Sequence, residues 1–282
     1  MTYLLAIGSA VLYGAADFLG GLATRRAGTI AVVILSQASG LILLALLLPL
    51  LPDASPSRAD LLWGALAGLT GGIGVGLLYR ALAVGVMAVV APTTAVCAVA
   101  IPVVVSLLLG ERPGPLAMAG MALGIVSIVL VSQQRPAEQA EHNPGTPRSS
   151  GVGIALASGV MIGLFFLTLA RTESEAGMWP ILVARLVSVT LFGTIAIGRG
   201  ISLRMPARMA VLALVCGVID MLANALYLLA ARQGQLSVVV TLSSLYPAST
   251  VLLARIVLGE RLNLLQSFGV ACALAAVVLI VS

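Results

Sequence analysis

Three ionisable side chains lie within long apolar runs of the sequence: Asp17, Arg185 and Asp220. A charged group at the centre of a bilayer costs about 3 kcal/mol on insertion scales, so it usually faces a protein interior, finds a partner or has a function. A rise of about 1.5 Å per residue places Arg185 and Asp220 at similar depths. We therefore predict an Arg185–Asp220 ion pair, with binding of an anionic substrate group by Arg185 as the alternative.

Both carboxylates belong to polar stripes. Tyr13 and Asp17 are four residues apart in the first apolar run, so they share a helix face. Asp220, Asn224 and Tyr227 share a face of the eighth run in the same way. We predict that both faces line a substrate cavity. Hydrogen bonding between helices, which needs no ligand, is the competing explanation.

Prolines add a third group of candidates, because a proline removes one backbone hydrogen bond and can kink a helix. Pro92 and Pro102 interrupt the fourth apolar run, and Pro247 interrupts the ninth. A kink at Pro247 could expose backbone carbonyls and nearby hydroxyls to a cavity. The predicted substrate-binding residues are Tyr13, Asp17, Tyr79, Asp220, Asn224, Tyr227, Ser243 and Tyr246.

Little in the sequence supports catalysis or metal binding. His142 is the single histidine, and Cys97, Cys216 and Cys272 lie in apolar runs without CxxC spacing. The glycine-rich run 68–76 matches neither a dinucleotide-binding nor a Walker pattern. The membrane aspartates lack the flanking residues of an intramembrane aspartyl protease. We expect no enzyme activity, no catalytic residues, no metal and no cofactor, and hence transport driven by a gradient rather than by ATP.

The composition places these residues in a membrane. Of the 282 residues, 60% are hydrophobic and 9% are charged, whereas soluble domains carry about a quarter charged residues. The net charge of +5 comes from scattered arginines, unlike the clustered basic surface of a nucleic-acid-binding protein. The expected partners are membrane lipids, a small-molecule substrate and coupled protons, with no nucleic acid. We expect a multi-pass monomer in the plasma membrane.

Ten apolar runs of about 20 residues are each long enough to span a bilayer. They are 3–24, 29–51, 60–80, 86–109, 114–132, 151–171, 178–198, 209–231, 235–258 and 263–281. The first run lacks a basic n-region and a clear cleavage site, so we expect a retained helix rather than a signal peptide. The polar stretch 133–150 is a linker by composition. We predict one five-helix repeat over 1–132 and a second over 151–282.

A shift of 149 residues places the second half on the first. The matches are Ser9 with Ser158, Gly14 with Gly163, Ser39 with Ser188, Gly68 with Gly217, Gly120 with Gly269, and Gly110-Glu111-Arg112 with Gly259-Glu260-Arg261. Because each half contains five helices, an odd number, the second half must enter the membrane from the opposite side. The sequence therefore predicts an all-α inverted repeat, the architecture associated with alternating access.

Glycines spaced four residues apart predict close helix packing. The pairs are Gly64/Gly68, Gly72/Gly76, Gly120/Gly124 and Gly159/Gly163. A flexible hinge in the run 68–76 is the alternative. The two Gly-Glu-Arg turns are expected to be structural.

Several motifs resemble the EamA family of the drug/metabolite transporter superfamily. Leu-Leu-Leu-Gly-Glu-Arg at 107–112 and Ile-Val-Leu-Gly-Glu-Arg at 256–261 resemble the end of the fourth helix in each EamA repeat. Leu-Tyr-Gly-Ala-Ala-Asp-Phe at 12–18 is similar to its first-helix pattern, and 78–83 and 223–227 resemble later helix ends. The resemblance implies ten helices around a central cavity lined mainly by helices 1, 3, 4, 6, 8 and 9.

The resemblance also implies a role for Asp17. Small multidrug members of the superfamily carry an acidic residue in the first helix, which binds protons or cationic groups in alternation. The second half has Phe166 at the equivalent position, so this charge is asymmetric.

Two arguments about orientation disagree. We call the side of the membrane on which the first helix begins the A side and the other the B side. Arginines are more frequent on the B side, so the positive-inside rule places both termini outside. The resemblance implies that both termini are cytoplasmic, and the sequence leaves the orientation open.

The function that these observations favour is secondary transport. We expect an exporter of small polar metabolites such as amino acids, working by alternating access. The alternatives are a passive channel or facilitator and a multidrug or organic-cation efflux carrier.

Overall fold

The computed structural model describes residues 2–108, 114–132, 151–233, 239, 242–243 and 245–281. The α-helices in these residues are α1 (Thr2–Thr24), α2 (Thr29–Leu47), α3 (Arg58–Val84), α4 (Met87–Leu108), α5 (Pro115–Ser132), α6 (Val152–Leu169), α7 (Trp179–Gly198), α8 (Ala207–Gln233), α9 (Tyr246–Leu258) and α10 (Leu264–Val281). Each lies in or overlaps an apolar run, and the described residues contain no strand. A helix satisfies its backbone hydrogen bonds internally, as hydrocarbon requires.

The chain is a multi-pass membrane protein. In the described residues, seven helices are long and apolar enough to cross a membrane. The corresponding apolar segments of α4, α5 and α9 are shorter, at Met87–Pro102, Pro115–Ser127 and Tyr246–Leu258. This length-and-hydropathy criterion therefore supports seven of the ten predicted spans, and the other three remain a prediction. The predicted linker 133–150, which contains His142, and the first Gly-Glu-Arg turn lie outside the described residues.

Helix α3 extends beyond the predicted run 60–80 at both ends, and its start is capped. The Ser57 side chain accepts a hydrogen bond from the Asp60 backbone N–H, and Asp60 accepts one from the Ser57 backbone N–H. This reciprocal capping box satisfies two otherwise unpaired donors of the first turn. The second carboxylate oxygen of Asp60 accepts from the Glu173 backbone N–H at 2.8 Å, which ties the start of α3 to the α6–α7 connection.

Helix α9 begins later than the predicted run 235–258. Leu245 is not helical, and Pro247 lies in the first turn of the helix. A proline is tolerated there because the first backbone N–H groups of a helix have no intrahelical acceptor. The helix ends at Gly259, whose φ of 65° is the left-handed conformation that favours glycine. By contrast, α4 continues through Pro92 and Pro102.

Contacts at the helix ends give the helix directions. On the B side, Arg25, which follows α1, forms an ion pair with Glu260, which follows α9. On the A side, the Thr2 hydroxyl donates to the Gln233 carbonyl at 3.2 Å, so α1 and α8 are antiparallel. Helices α3 and α6 are also antiparallel, because Gly151 before α6 lies against Gly85 after α3.

The two halves pack against each other in matching pairs of helices. Helix α1 packs against α8 and α9, and α6 packs against α3 and α4. Helix α2 packs against α8, and α7 packs against α3. Helices five apart in chain order occupy equivalent positions in the two repeats. The contacts of α1 in the first repeat therefore correspond to those of α6 in the second, and the contacts of α2 with α8 correspond to those of α7 with α3.

Interhelical hydrogen bonds repeat the same correspondence. Four side-chain hydroxyls donate to carbonyl oxygens of a neighbouring helix, over 2.8–3.5 Å. The donor–acceptor pairs are Ser9 with Ala223, Ser158 with Gly74, Ser243 with Ala6, and Thr94 with Ala155. The first two are related by the shift of 149 residues, and so are the last two.

The glycine pairs lie where helices approach most closely, as predicted. A Cβ added to Gly64 would lie 2.7 Å from the Pro180 carbonyl of α7, and one at Gly68 would collide with the Ala184 carbonyl. The other three pairs would likewise collide with neighbouring helices. Helix α3 runs without a break through the segment 68–76, which supports packing rather than a hinge.

Candidate functional site

Asp17 lies within α1 and is half-buried. Among the described residues, its carboxylate has no hydrogen-bond or ion-pair partner. It lies within electrostatic range of Asp220 on α8. A carboxylate so placed is available to a cation or a proton, because nothing in the described part of the chain neutralises it.

Tyr13 lies one helical turn before Asp17 and packs against a second phenol ring. Tyr13 of α1 and Tyr246 of α9 pack edge to face, with ring centroids 6.4 Å apart. The helices approach closely because Gly14 has no side chain, and the Thr250 hydroxyl donates to the Gly14 carbonyl at 3.0 Å. The structure therefore brings together two of the predicted tyrosines on the helix that carries Asp17 and on its neighbour.

The predicted ion pair between Arg185 of α7 and Asp220 of α8 is present. The guanidinium also donates to the Gln37 side chain of α2 at 3.0 Å. Arg185 is 8% exposed, whereas the Asp220 side chain keeps 26% of its surface exposed. Asn224 donates from its amide to the Asp220 carbonyl at 2.8 Å. Because the guanidinium has two protein partners, the structural role predicted for Arg185 accounts for its position.

Tyr79 lies at a junction of α1, α3 and α8, within electrostatic range of Asp17 and Asp220. Its hydroxyl is 3.1 Å from the Cys216 sulfur, which donates to the Ala16 carbonyl at 3.2 Å. The side chain is 4% exposed and packs against Gly20, where a Cβ would collide with the ring. These contacts hold the phenol in helix packing, and its role as a substrate ligand remains a prediction.

Tyr227 and Ser243 lie towards the A side. The Ser243 hydroxyl donates to the Ala6 carbonyl, and Tyr227 packs against a small apolar cluster that contains Ala6. Ala6 is 11 residues from Asp17, a separation of about 16 Å along an α-helix. The predicted set is therefore divided between a group around Asp17 and a group nearer the A side.

We call Tyr13, Asp17, Asp220 and Tyr246 the Asp17 cluster. Of its two carboxylates, that of Asp220 pairs with the buried guanidinium of Arg185, and that of Asp17 has no counter-ion among the described residues. The cluster lies between helices of both halves, with α1 on one side and α8 and α9 on the other. The arrangement suits binding of a positively charged group rather than of an anion.

Sequence reasoning missed two structural partners. Gln37 is the only amide side chain of α2, and this alone could have marked it as a partner for Arg185. Cys216 was set aside as an apolar residue. The structural role predicted for the second Gly-Glu-Arg turn is confirmed. Glu260 accepts from the Met87 and Ala88 backbone N–H groups at 3.1 and 3.0 Å and so caps the start of α4.

Comparisons with known proteins agree with the resemblance seen in the sequence. The model of the EamA-like transporter family matches residues 1–133 and again residues 149–282. A solved structure described only as "Crystal structure of protein" matches with a TM-score of 0.59 at 17% identity, over 99% of this chain and 95% of that chain. At this identity the likeness shows the fold alone. A search of curated proteins gave no match. Because the family model covers both halves, the chain belongs to the EamA-like transporter family.

Proposed function

We propose that the protein is a secondary transporter that exports small polar metabolites, such as amino acids, across the plasma membrane by alternating access. The observation that carries this proposal is the carboxylate of Asp17, which has no counter-ion in the described part of the chain and lies between the two halves of a membrane transporter fold. Substrate and protons would compete for this carboxylate.

An inverted repeat is part of the proposal. It is supported by the antiparallel packing of α1 on α8 and of α3 on α6, since α1 and α3 begin on the A side. It is further supported by the hydrogen bonds that recur after a shift of 149 residues. Two halves of opposite direction can exchange conformations, which would convert an inward-open state into an outward-open one.

The substrate class follows from the charges of the Asp17 cluster. An ammonium group would pair with Asp17, and the exposed part of Asp220 would accept further hydrogen bonds. Tyr13 and Tyr246 also favour a second candidate, an organic cation, because the face of a phenol ring attracts positive charge. Both candidates use the same carboxylate.

Efflux from proteoliposomes tests the proposal. Vesicles are preloaded with amino acids, sugars and organic cations, and release is measured by mass spectrometry with and without a pH gradient. We expect selective release of an amine-bearing class by the wild-type protein. The Asp17→Asn variant should lose at least about tenfold in rate, which corresponds to one charge-assisted interaction of about 1.4 kcal/mol.

The matched control is Asp53→Asn, which removes an exposed carboxylate from the α2–α3 connection. It should transport at the wild-type rate. Release that does not saturate and shows no counter-transport would favour the channel alternative. Uptake rather than release in vesicles of known orientation would overturn the direction. Full activity of folded Asp17→Asn would overturn the role of the carboxylate.

A further inference from the structure

The end of α1 nearest the B side packs directly against the end of α3 and the start of α4. Gly20 lies against the Tyr79 ring. A Cβ at Gly21 would lie 2.6 Å from the Leu82 Cβ and 2.9 Å from the end of the Met87 side chain. Tyr79 is 4% exposed, and Leu82 and Met87 are fully buried. We call these five residues the B-side seal, because two glycines let the helices touch here and close the bundle towards the B side.

Asp17 lies on the A side of the seal. It precedes Gly20 by three residues, a separation of about 5 Å along the helix. Helix α8 runs in the opposite direction to α1, so Asp220 lies closer to the A side than Cys216, the residue that contacts Tyr79. The Asp220 side chain is 26% exposed, whereas Cys216 is buried. Exposure therefore increases from the seal towards the A side.

The A-side ends of α1 and α3 have different neighbours, although both helices begin on the A side. A Cβ at Gly8 of α1 would lie 3.3 Å from the Leu226 side chain of α8. Gly64 of α3 instead lies against the Pro180 backbone of α7. The two parallel helices thus meet at the B side and pack on separate partners at the A side. This arrangement gives access to the Asp17 cluster from the A side.

The repeat gives a second, independent reason for this asymmetry. A shift of 149 residues places Gly20 and Gly21 on Leu169 and Ala170, at the end of α6 on the A side. Ala170 is exposed. Since a leucine does not allow the close approach that a glycine allows, an equivalent seal on the A side would pack less tightly than the B-side seal.

We propose that the B-side seal makes the state open towards the A side the resting state of the transporter, with the Tyr79 ring keeping the Asp17 cluster closed to the B side. The proposal rests on the alternating access proposed above, and it gives Tyr79 a role in closing the pathway instead of in substrate binding. The two states of an inverted repeat differ in population according to the contacts that each one makes. Substrate enters from the A side, and the seal separates when the site turns to the B side.

Thiol labelling tests the seal without relying on transport. Asn224→Cys places a thiol on the A side of the seal, while Ser55→Cys and Ser202→Cys replace exposed serines of the A-side and B-side surfaces. A membrane-impermeant methanethiosulfonate is applied to membrane vesicles from either side, and the wild-type protein gives the background from its own cysteines. We expect Asn224→Cys to react at least about tenfold faster from the side that labels Ser55→Cys. Equal rates, or faster reaction from the side that labels Ser202→Cys, would overturn the proposal.

Two variants of Tyr79 separate closure from substrate binding. Tyr79→Ala removes the ring, so Asn224→Cys should then react from both sides of the membrane. Tyr79→Phe keeps the ring and removes only the hydroxyl, so labelling should stay one-sided. If Tyr79 were only a substrate ligand, labelling would stay one-sided in Tyr79→Ala as well, and the proposal would be wrong. The matched control Tyr3→Ala removes a tyrosine of α1 that is 61% exposed and should leave the labelling one-sided.

A glycine variant tests the seal from the side of α1. Gly21→Ala adds a Cβ that would collide with Leu82, so it should reduce the one-sided preference by at least about threefold. Gly28→Ala is the matched control, because a Cβ there would meet nothing within 4 Å. It should leave the preference unchanged, and an equal loss in both variants would contradict the role of the seal.

The labelling and efflux measurements fail separately. One-sided labelling without selective efflux would leave the seal in place and overturn the proposed transport. Selective efflux that depends on Asp17, together with equal labelling from both sides, would support the transport and overturn the seal.

Discussion

Arg185 shows how an intramembrane charge is held by its neighbours. Its guanidinium binds Asp220 of α8 and Gln37 of α2, so one side chain connects three helices. Asp17 differs from Arg185 in its partners rather than in its location. Both are ionisable groups of the apolar bundle, yet in the described part of the chain Asp17 has no counter-ion. Arg185 stabilises the fold, whereas ligand binding is our proposal for Asp17.

Removing Arg185 should be more harmful than removing the whole pair. In Arg185→Ala, the Asp220 carboxylate remains in the bundle without its cation. Breaking a fully buried pair costs about 3–5 kcal/mol, and we expect about 2–3 kcal/mol here because Asp220 is partly exposed. The double variant Arg185→Ala/Asp220→Ala should recover part of this loss. Denaturation of the purified protein in detergent measures both.

An exposed arginine provides the control for that measurement. Arg171→Ala, on the A side, should change stability by less than about 0.5 kcal/mol. If the double variant lost as much as the two single variants together, the two charges would act independently and the pair would not matter to the fold.

Prediction from the sequence succeeded for an ion pair whose two members could be matched by their depth in the membrane. Arg185 and Asp220 were paired from their distance to the membrane surfaces, and the structure contains that pair. Gln37 could not be found in this way, because an uncharged amide in an apolar run gives no requirement for a partner. Tyr79 was predicted to be a ligand, but its position depends on side-chain packing against Gly20, which sequence spacing does not reveal.

Glycine determines how closely the helices approach. Gly68 of α3 lies against the backbone of α7, and Gly217 of α8 lies against Ser36 of α2. These two glycines are equivalent after the shift of 149 residues. In each repeat, a glycine at the same position of the third helix therefore lets that helix pack closely against the second helix of the other repeat.

A methyl group at either position should push the helices apart. We expect Gly68→Ala and Gly217→Ala each to cost about 1–3 kcal/mol, since the added Cβ would collide with backbone atoms. The matched control is Gly193→Ala in α7, where a Cβ would meet nothing within 4 Å. That change should be neutral or should stabilise the helix by up to about 1 kcal/mol. Thermal unfolding compares the three, and equal effects would contradict the packing argument.

The helices themselves were largely predictable, and their ends were not. Apolar length located the helices, but the capping box of Ser57 and Asp60 extends α3 beyond its apolar run. The start of α9 at Tyr246 depends on the chain before Pro247 leaving the helical conformation, whereas α4 tolerates two internal prolines. The same residue type thus lies inside one helix and at the start of another, which residue type alone does not predict.

On the scale of the whole molecule, the ion pair between Arg25 and Glu260 joins the first half to the second on the B side. Glu260 also caps α4, so one carboxylate holds the connections after α1 and α9 to the start of a third helix. If the transporter alternates between two open states, this contact must break once in each cycle.

Fixing that contact should stop transport. In the Arg25→Cys/Glu260→Cys variant, a short bis-maleimide would join the two connections. We expect loss of most efflux activity after treatment, measured in the proteoliposome assay described above. Each single-cysteine variant, treated with the same reagent, is the control and should keep its untreated rate. Unchanged efflux by fully cross-linked protein would show that the B side need not open.

The repeat was visible in the sequence because identical small and charged residues recur at one spacing. What the spacing could not provide is the way the two halves interleave. The equivalence of the Ser9 and Ser158 hydrogen bonds depends on which helices become neighbours, and each donor finds its acceptor in the other half. Such pairings are long-range and leave no local pattern.

This interleaving has a consequence for how the chain is made. The Ser9 hydroxyl on α1 binds the Ala223 carbonyl on α8, 214 residues later. At a synthesis rate of roughly 5–20 residues per second, α1 waits roughly 10–40 s in the membrane before α8 emerges from the ribosome. During that interval the carboxylate of Asp17 and the hydroxyls of α1 have no second half to pack against. The biogenesis machinery must therefore shelter the first half until its partner arrives.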